Sequence, residues 1–406
     1  MDILRRLRIV TLCVPFALAS SMAEAQDPDP VAVRAAPQAP DSGSGGGFVA
    51  GARRWADKHQ IVGRLNGDVD GWYPRLGGMT RGGGFAFGPG YRTHVLDDRV
   101  LVDVSAAFST KIYKAVDAKV RWLQAFDDRL EVWTTFRYED FPQEDFFGTG
   151  LDSSLDTRTS YDLDGTNYTV RGLFKPNAWL RVGATLGYAR PDVGPGSDNN
   201  YPSIEEIFTD AEAPGLNAQP NFMHTTFFGE VDLRDQPGNP STGGFYRAAY
   251  AVADDRTLDA YDHHRFDAEA TQYVPLAASR RHVVSGHVGL SYVNNAGGDR
   301  VPFYLLAYVG GVDTIRSFRE FRFKDENAVW MNLEYRYTLM KWISAAAFFD
   351  AGKVSADWQD ITLGGMKTGY GAGLRVHSDK QTFLRVDVGT GGGEGWQVFF
   401  KFGPSF

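Results

Sequence analysis

The sequence predicts an all-β protein, a transmembrane antiparallel β-barrel of about 16 strands with a long extracellular loop folded into the lumen. From about residue 82 to the end of the 406-residue chain, segments of roughly ten residues alternate apolar with polar or charged side chains. Gly, Pro, Asn and Asp separate these segments. Beyond residue 25 no stretch approaches the roughly 20 consecutive apolar residues that a spanning helix needs, which excludes helix-bundle transporters and channels.

Residues 1–25 are expected to be a secretory signal peptide. A basic start and an apolar run precede an Ala-x-Ala cleavage site: Arg5, Arg6 and Arg8, then residues 9–19, then Ala23-Glu24-Ala25. The one cysteine, Cys13, lies in this segment. Export without a cysteine suits the bacterial outer membrane, where a large hydrogen-bonded sheet rather than disulfides stabilises the fold.

Residues 26–59 are expected to form a flexible linker, and the barrel is expected to occupy residues 60–406. The linker contains four prolines and the tract Ser42-Gly43-Ser44-Gly45-Gly46-Gly47. The net charge of the chain is −8. An acidic balance of this kind argues against nucleic acid as a partner.

Fifteen candidate strands lie between residues 82 and 403, whereas bacterial barrels have an even number of strands. The sixteenth is either residues 61–68 or the product of a hairpin turn at Asp164-Gly165, which would split the segment 157–174. A soluble β-sandwich shows the same alternation. The number of segments, the aromatic residues near their ends and the C-terminal barrel signal of Phe400, Phe402 and Phe406 favour the membrane barrel.

With both chain termini in the periplasm, the stretches 191–221 and 294–327 become long extracellular loops. The acidic and aromatic stretch 139–147 is expected to be a solvated loop beside an aromatic girdle. Charged residues of both signs are expected to line the lumen: Asp117, Lys119, Arg121, Glu230, Asp232, Arg234, Arg265, Asp267, Glu269, Glu334, Arg336, Arg385 and Asp387. Such charges are tolerated if they pair or stay hydrated.

The second long loop contains a distinctive motif, Gly310-Gly311 followed by Ile315-Arg316-Ser317-Phe318. Glu334 and Asp350, on the next two candidate strands, point to the same face as the lumen charges. An arginine folded inward could pair with both carboxylates.

These residues resemble those of the BamA and TamA type of outer-membrane assembly barrels, also called bacterial surface antigens, best from residue 222 to 406. In that family a Val-Arg-Gly-Phe or Tyr motif after two glycines tucks into the barrel, and its arginine bonds acidic residues of the wall. Ile315, Arg316 and Phe318 fit this motif, whereas Ser317 replaces the glycine. The resemblance implies that Arg316, Glu334 and Asp350 form a latch that holds the loop in the lumen.

Two other segments resemble parts of the same family. Asp232, Arg234 and Asp235, followed by Pro240 and Gly243, resemble the periplasmic turn before a rising strand, although Asp, Pro and Gly also make any tight turn. The glycine-rich stretch 82–88 resembles the family's first strand, whose weak pairing with the last strand forms a lateral seam. Glycine that relieves crowding at a barrel bend explains this stretch equally well.

The resemblance implies a role in the assembly, insertion or translocation of outer-membrane proteins. Family members that do this carry periplasmic polypeptide-transport-associated domains, which residues 26–59 are too short to hold. A barrel-only member is therefore expected, with membrane lipids, client outer-membrane or surface proteins and a periplasmic partner. A passive channel for ions or small solutes and a lipid-handling surface protein remain alternatives.

No enzymatic activity, cofactor or metal is expected. The chain has no Gly-x-Ser-x-Gly and no His-Glu-x-x-His motif. His263 and His264 are adjacent on a strand, so they point to opposite faces and are poor co-ligands. A barrel phospholipase that uses Ser and His stays open as an alternative.

Overall fold

The structure is a computed structural model that describes residues 69–77, 79–80, 82–125, 129–295, 299–401 and 403. The expected signal peptide and linker lie outside these residues, as do Phe402 and Phe406 of the C-terminal barrel signal.

Sixteen strands form one antiparallel sheet. Their bounds are β1 Gly71–Gly77, β2 Ala86–Val95, β3 Val100–Ser109, β4 Lys114–Ala125, β5 Leu130–Phe146, β6 Thr159–Phe174, β7 Leu180–Pro195, β8 Phe222–Asp232, β9 Gly243–Asp255, β10 His263–Pro275, β11 His282–Asn294, β14 Asn327–Met340, β15 Ile343–Ser355, β16 Lys367–His377, β17 Thr382–Thr390 and β18 Gln397–Lys401. The two remaining strands, β12 Ala307–Val309 and β13 Phe323–Asp325, pair with each other in the loop between β11 and β14.

Every strand of the sheet pairs with the next one along the chain, apart from the step from β11 to β14 over the loop hairpin. This up-and-down order is that of a membrane barrel. The edge strands β1 and β18 are the shortest, with 7 and 5 residues. Within the described residues each of them has a single neighbour in the sheet, so the backbone pairing that full closure requires is not part of the described structure.

The sixteenth strand is β1, which neither sequence-based repair identified. A hairpin turn at Asp164-Gly165 is wrong, because β6 runs straight through these residues in register with Asp140 and Glu139 of β5. Gly165 instead allows β6 and β7 to pack closely, because a Cβ at this position would lie 2.4 Å from the carbonyl oxygen of Arg190. The other candidate, residues 61–68, lies outside the described part of the chain.

The strands β5, β6 and β7 are the longest, with 17, 16 and 16 residues. The expected solvated loop at 139–147 is therefore wrong: most of it is the end of β5. Glu139, Glu144 and Phe146 are buried there. The reason is tertiary, because the loop between β11 and β14 folds over this end of β5 and places Lys324 beside the ring of Phe146, 6.0 Å from its centroid.

Inward-facing charges form ion pairs between different strands and turns, while large apolar side chains on the outer face are exposed. Asp117 pairs with both Arg75 and Arg137, and Glu131 pairs with both Arg121 and Lys175. A polar interior and an apolar exterior are typical of a barrel that spans a membrane. Of the helices in the described residues, none is long and apolar enough to cross a membrane.

The two ends of the barrel differ. One end has short connections, such as 96–99 and 276–281, and we call it the short-turn end. The long-loop end has the connections 196–221 and 295–326, which include a helical turn at Ile204–Ile207 and a 3₁₀ turn at Phe303–Leu305; another 3₁₀ turn, Trp358–Asp360, follows β15. These two loops pack against the strand ends in an apolar cluster whose most buried members are Phe146, Ile204, Ala213 and Phe303. The cluster joins the two loops to β5 to β9 and to β11.

Candidate functional site

The loop motif lies inside the barrel, between the hairpin strands β12 and β13. Gly310 and Gly311 adopt positive φ values of 111° and 106°, a backbone conformation that favours glycine. A Cβ at Gly310 would also lie 2.6 Å from the carbonyl oxygen of Arg319, and one at Gly311 would lie 1.9 Å from the carboxylate of Glu320. Both glycines are therefore needed for the tight path that turns the motif towards the wall.

Arg316 is fully buried and bonded to the two carboxylates that the sequence placed opposite it. Its Nε and Nη2 donate to the two oxygens of Asp350, both at 2.8 Å, and its Nη1 donates to Oε2 of Glu334 at 2.8 Å. Its backbone N–H also donates to Asp350, at 3.0 Å. Two parallel bonds to one carboxylate use the planar shape of the guanidinium, which lysine lacks.

Three further charged residues extend this contact into a network. Arg375 donates to Glu334 and to Asp387, both at 2.7 Å, and Arg385 pairs with Asp387 at 2.8 Å. Arg316, Arg375, Arg385, Glu334, Asp350 and Asp387, which we call the arginine cluster, are each at most 1% exposed. Three guanidinium groups thus face three carboxylates, which leaves the cluster neutral and compensates for the cost of burial.

Burial by itself would lower the pKa of Arg316. The hydrogen bonds and negative charges of Asp350, with the charges of Glu334 and Asp387, outweigh that effect and raise the pKa above the usual value for arginine. The ring of Phe348 lies beneath the guanidinium, with 3.6 Å between Cζ and the ring centroid. Arg316 is therefore charged at neutral pH, and its charge is matched by the carboxylates around it.

Glycines of the barrel wall make room for the motif. A Cβ at Gly389 would lie 1.8 Å from the carbonyl oxygen of Arg316, and one at Gly369 would lie 1.9 Å from Oγ of Ser317. Ser317 is buried and is not among the residues with positive φ. Serine at this position is therefore unstrained, because the conformation does not need glycine and the wall supplies the space.

The apolar residues of the motif anchor the loop hairpin. Ile315 and Phe318 belong to a buried cluster with Val309 and Phe323 of the hairpin and Val354 of β15. The rings of Phe318 and Phe323 meet edge to face with 5.0 Å between centroids. Apolar packing and the arginine cluster thus hold the same short segment from two sides.

The loop is also tied to the last strand and its preceding turn. Lys401 of β18 pairs with Asp313, and Nε of Arg322 donates to Glu394 at 2.6 Å. The Nη1 and Nη2 atoms of Arg322 donate to Oγ and the carbonyl oxygen of Ser153, at 2.9 and 2.8 Å. The loop therefore connects the β5–β6 loop with the edge strand β18 and the turn before it.

The residues of the expected periplasmic turn lie together between β8 and β9. Asp232 accepts two bonds of 2.9 Å from the guanidinium of Arg234. Asp235 accepts from the hydroxyl of Ser241 at 2.6 Å and from the backbone of Ser241 and of Thr242, at 2.9 and 3.1 Å. Burial would raise the pKa of Asp235, but these hydrogen bonds lower it below the usual value.

Gly243 closes this turn with φ of 91°, and a Cβ there would lie 2.0 Å from the carbonyl oxygen of Leu233. Pro240 offers its carbonyl oxygen to the side chain of Arg336, which projects from β14. The turn, residues 233–242, therefore leans inward from the wall.

This turn crosses the short-turn end of the barrel. Gly238 forms a β-bridge with Gln381, and its carbonyl oxygen accepts from the N–H of Thr382 at 2.8 Å. Nδ2 of Asn239 donates to the carbonyl oxygen of Ser378 at 2.9 Å. Ser378 and Gln381 belong to the turn between β16 and β17, and β10, β11, β14 and β15 separate that turn from the one between β8 and β9 in the sheet. We call residues 233–242 the crossing turn.

Of the C-terminal barrel signal, Phe400 lies on β18 and is 70% exposed, on the same face as Val398. This is the exposed apolar edge that an outward-facing alternation predicts.

Sequence reasoning placed Arg385 and Asp387 in the lumen but did not join them to Arg316, and it did not assign Arg375 a role. The sequence did contain a signal for Arg375, because the alternation along β16 puts this residue on the inward face. Arg375 and Arg385 are directly opposite each other in register. Two like charges in such a pair require carboxylates close by.

Within the described residues Ser344 and His377 form a close Ser–His pair, with 2.7 Å between Oγ and Nε2, as a hydrolase would require. Ser344 is fully buried. The Nδ1 atom of His377 lies 3.1 Å from the carbonyl oxygen of Ser378 rather than against a carboxylate. The pair thus lacks both substrate access and the acidic partner of a hydrolase triad. In the same part of the chain no group of three or more His, Cys, Asp or Glu residues could hold a metal ion.

Residues 105–406 match the Omp85 superfamily domain. The chain is similar to the solved structure of BamA from Haemophilus ducreyi lacking POTRA domains 1–3, with a TM-score of 0.60 and 14% identity over 83% of this chain and 70% of that chain. It is also similar to CdiB from Escherichia coli, with a TM-score of 0.49 and 12% identity over 81% of this chain and 58% of that one. For CdiB from Acinetobacter baumannii the values are 0.48, 9%, 78% and 56%. The chain thus spans less than two thirds of each CdiB chain.

Proposed function

This chain belongs to the Omp85 superfamily, and we propose that it acts at the bacterial outer membrane in the assembly, insertion or translocation of other proteins. Its partners in this proposal are the lipids of that membrane and client outer-membrane or surface proteins. In this proposal a separate periplasmic protein captures the clients.

The observation that carries this proposal is the attachment of one buried loop both to the wall and to the edge of the sheet. Arg316 ties the loop to β14 and β15, whereas Asp313 and Arg322 tie it to β18 and to the turn before it. An edge strand offers unpaired backbone groups to a further strand. A loop that is bonded to such a strand is well placed to couple events in the lumen to strand pairing at the edge.

In this proposal Arg316, Glu334 and Asp350 act as a latch. Removal of any one of them leaves the buried arginine cluster with one uncompensated charge, which costs about 3–5 kcal/mol. The latch therefore holds the loop in one position, and a client has to act on the edge strand rather than displace the loop.

A passive channel for ions or small solutes is the second candidate, and one feature favours it. The inward-facing charges away from the loop are hydrated: the side chains of Arg181 and Arg247 are 25% and 23% exposed. The loop motif opposes this candidate, because the arginine cluster holds it inside the barrel and a wide open pore would require it to move. A stable open conductance of the purified barrel in a planar bilayer would favour the channel.

The test is quantitative outer-membrane proteomics, together with lipid analysis, on a strain that lacks the protein, compared with its parent. We expect particular barrels or surface proteins to be depleted at unchanged transcript levels, and the depleted set names the clients. Expression of the unaltered protein should restore them. An unchanged proteome would contradict the assembly role, and a changed lipid composition alone would point to lipid handling.

A further inference from the structure

A basic and aromatic patch lies on the outer face at the short-turn end, where β11 and β15 begin and β14 ends. It consists of Arg281, Tyr337, Lys341 and Trp342, and we call it the basic patch. The two cationic residues and Trp342 are exposed, Trp342 by 55%. We propose that the basic patch binds the phosphate group of an anionic phospholipid.

Arg281 is held in place by the strand end next to it. Its Nε donates to the carbonyl oxygen of Thr338 at 3.2 Å, and its Nη2 donates to the same oxygen at 3.0 Å and to that of Leu339 at 3.4 Å. Its Cζ lies 5.5 Å from the ring centroid of Tyr337. Within the described residues Nη1 donates to no protein group. The guanidinium is thus positioned in advance with one donor edge left for a ligand, which lowers the entropic cost of binding.

The charge of the patch is not neutralised by the protein. In the part of the chain that the structure describes, no carboxylate lies within ion-pair distance of Arg281 or Lys341. The neighbouring Arg280 differs, because it pairs with Asp235 at 2.9 Å. Arg281 and Lys341 therefore present two positive charges that an anion can complement, and guanidinium suits the oxygens of a phosphate group.

The surroundings of the patch specify a lipid rather than a free anion. The outer face next to it carries the exposed side chains of Leu333, Leu339 and Met340, which are 54%, 44% and 59% exposed. Apolar surface of this kind contacts acyl chains, while Trp, Tyr, Lys and Arg mark the level of the lipid headgroups. A ligand with both a phosphate and acyl chains satisfies both halves of the surface.

The proposal requires only that the barrel lies in a membrane, and it holds whatever the client of the barrel is. The test uses the full folded chain in lipid nanodiscs of phosphatidylethanolamine with a minor fraction of phosphatidylglycerol. Native mass spectrometry then measures which lipid stays bound to the protein when the protein is released from the nanodisc. We expect preferential retention of phosphatidylglycerol, reduced about fivefold in Arg281→Gln and about 25-fold in the double variant with Lys341→Gln.

The matched control is Lys380→Gln, which removes one exposed positive charge at the same end of the barrel, on the turn between β16 and β17. Retention should be unchanged in this variant. An equal loss in Lys380→Gln, or no loss in the double variant, would overturn the proposal. Full displacement of the lipid by millimolar inorganic phosphate would also overturn it, by showing a site for free anions.

Arg281→Lys keeps the test decisive if the glutamine variants do not fold. It preserves the charge but loses the planar set of donors, so we expect retention between that of the unaltered protein and that of Arg281→Gln. Retention equal to that of the unaltered protein would refute the role of the fixed guanidinium. Heat-modifiable migration on gels verifies folding of each variant.

Discussion

Two segments cross the interior of this barrel towards β16 and β17, and they are held in opposite ways. The loop motif is held by the arginine cluster, six charged side chains that are each at most 1% exposed. The crossing turn is held mainly by neutral hydrogen bonds to backbone atoms, and Gly238, Asn239 and Ser378 in these bonds are partly exposed. A buried charge cluster stays intact or fails as a unit, whereas neutral bonds near water break one at a time.

The difference indicates which end of the barrel moves more easily. Loss of one cluster member leaves an uncompensated charge in a dry site, so the loop should stay fixed under native conditions. Water can replace each bond of the crossing turn at little cost. We expect the short-turn end to open first and the long-loop end to open only with extensive unfolding.

The largest expected effect is that of Arg316→Ala. The change leaves Glu334 and Asp350 buried without their shared partner and should destabilise the folded barrel by about 3–5 kcal/mol. Urea titration of the folded barrel gives the loss of stability, and limited proteolysis reports release of the loop. Arg319→Ala is the control, because Arg319 is exposed three residues further along the same loop. Unchanged protease sensitivity of the loop in Arg316→Ala would refute the latch.

A smaller effect is expected for Gly389→Ala, which tests whether the wall fits the loop backbone. The added Cβ would lie 1.8 Å from the carbonyl oxygen of Arg316, so either the loop or β17 has to shift, at about 1–3 kcal/mol. Gly286→Ala on β11 is the control, because a Cβ there has no heavy atom within 4 Å. The same denaturation assay applies, and equal midpoints for the two variants would contradict close packing of the loop on β17.

Asn239→Ala should affect only the crossing turn, by about 0.5–1.5 kcal/mol for one neutral hydrogen bond. We expect faster hydrogen exchange at the N–H of Thr382, which donates to Gly238, and no change in the loop motif. Asn177→Ala is the control, since Asn177 caps the N–H groups of Trp179 and Leu180 within its own turn. Equal exchange at Thr382 in Asn239→Ala and the unaltered protein would show that the contact does not hold the turn.

The smallest expected effect is a dependence of the stability of the crossing turn on pH. The pKa of Asp235 is lowered in the folded state, so its contribution to stability is full above its unfolded value of about 4. That contribution is lost as the pH falls through the folded pKa. Exchange at the turn, measured relative to the intrinsic rate of an unstructured amide at the same pH, should therefore rise in acid, and Asp235→Asn should abolish this rise. A rise of the same size in Asp235→Asn would assign it to another group.

The sequence by itself determined the strand alternation, and with it the all-β class, the up-and-down order and most strand positions. Alternation is a local property with a period of two residues, so it can be recognised within each segment. It also placed Arg316, Glu334 and Asp350 on faces that can meet. The count of sixteen was expected, but the strand that completes it, β1, was not located.

Only the tertiary structure decided what depends on distant segments. The stretch 139–147 became a buried strand end because a loop more than 150 residues away covers it. Ser317 is unstrained because Gly369 on another strand makes space for it. Arg375 joined the cluster, and the crossing turn reached β17, because the folded sheet brings together residues that no local pattern relates. The physical reason is that burial and pairing of charge depend on what surrounds a residue in three dimensions, whereas alternation depends only on its neighbours in the chain.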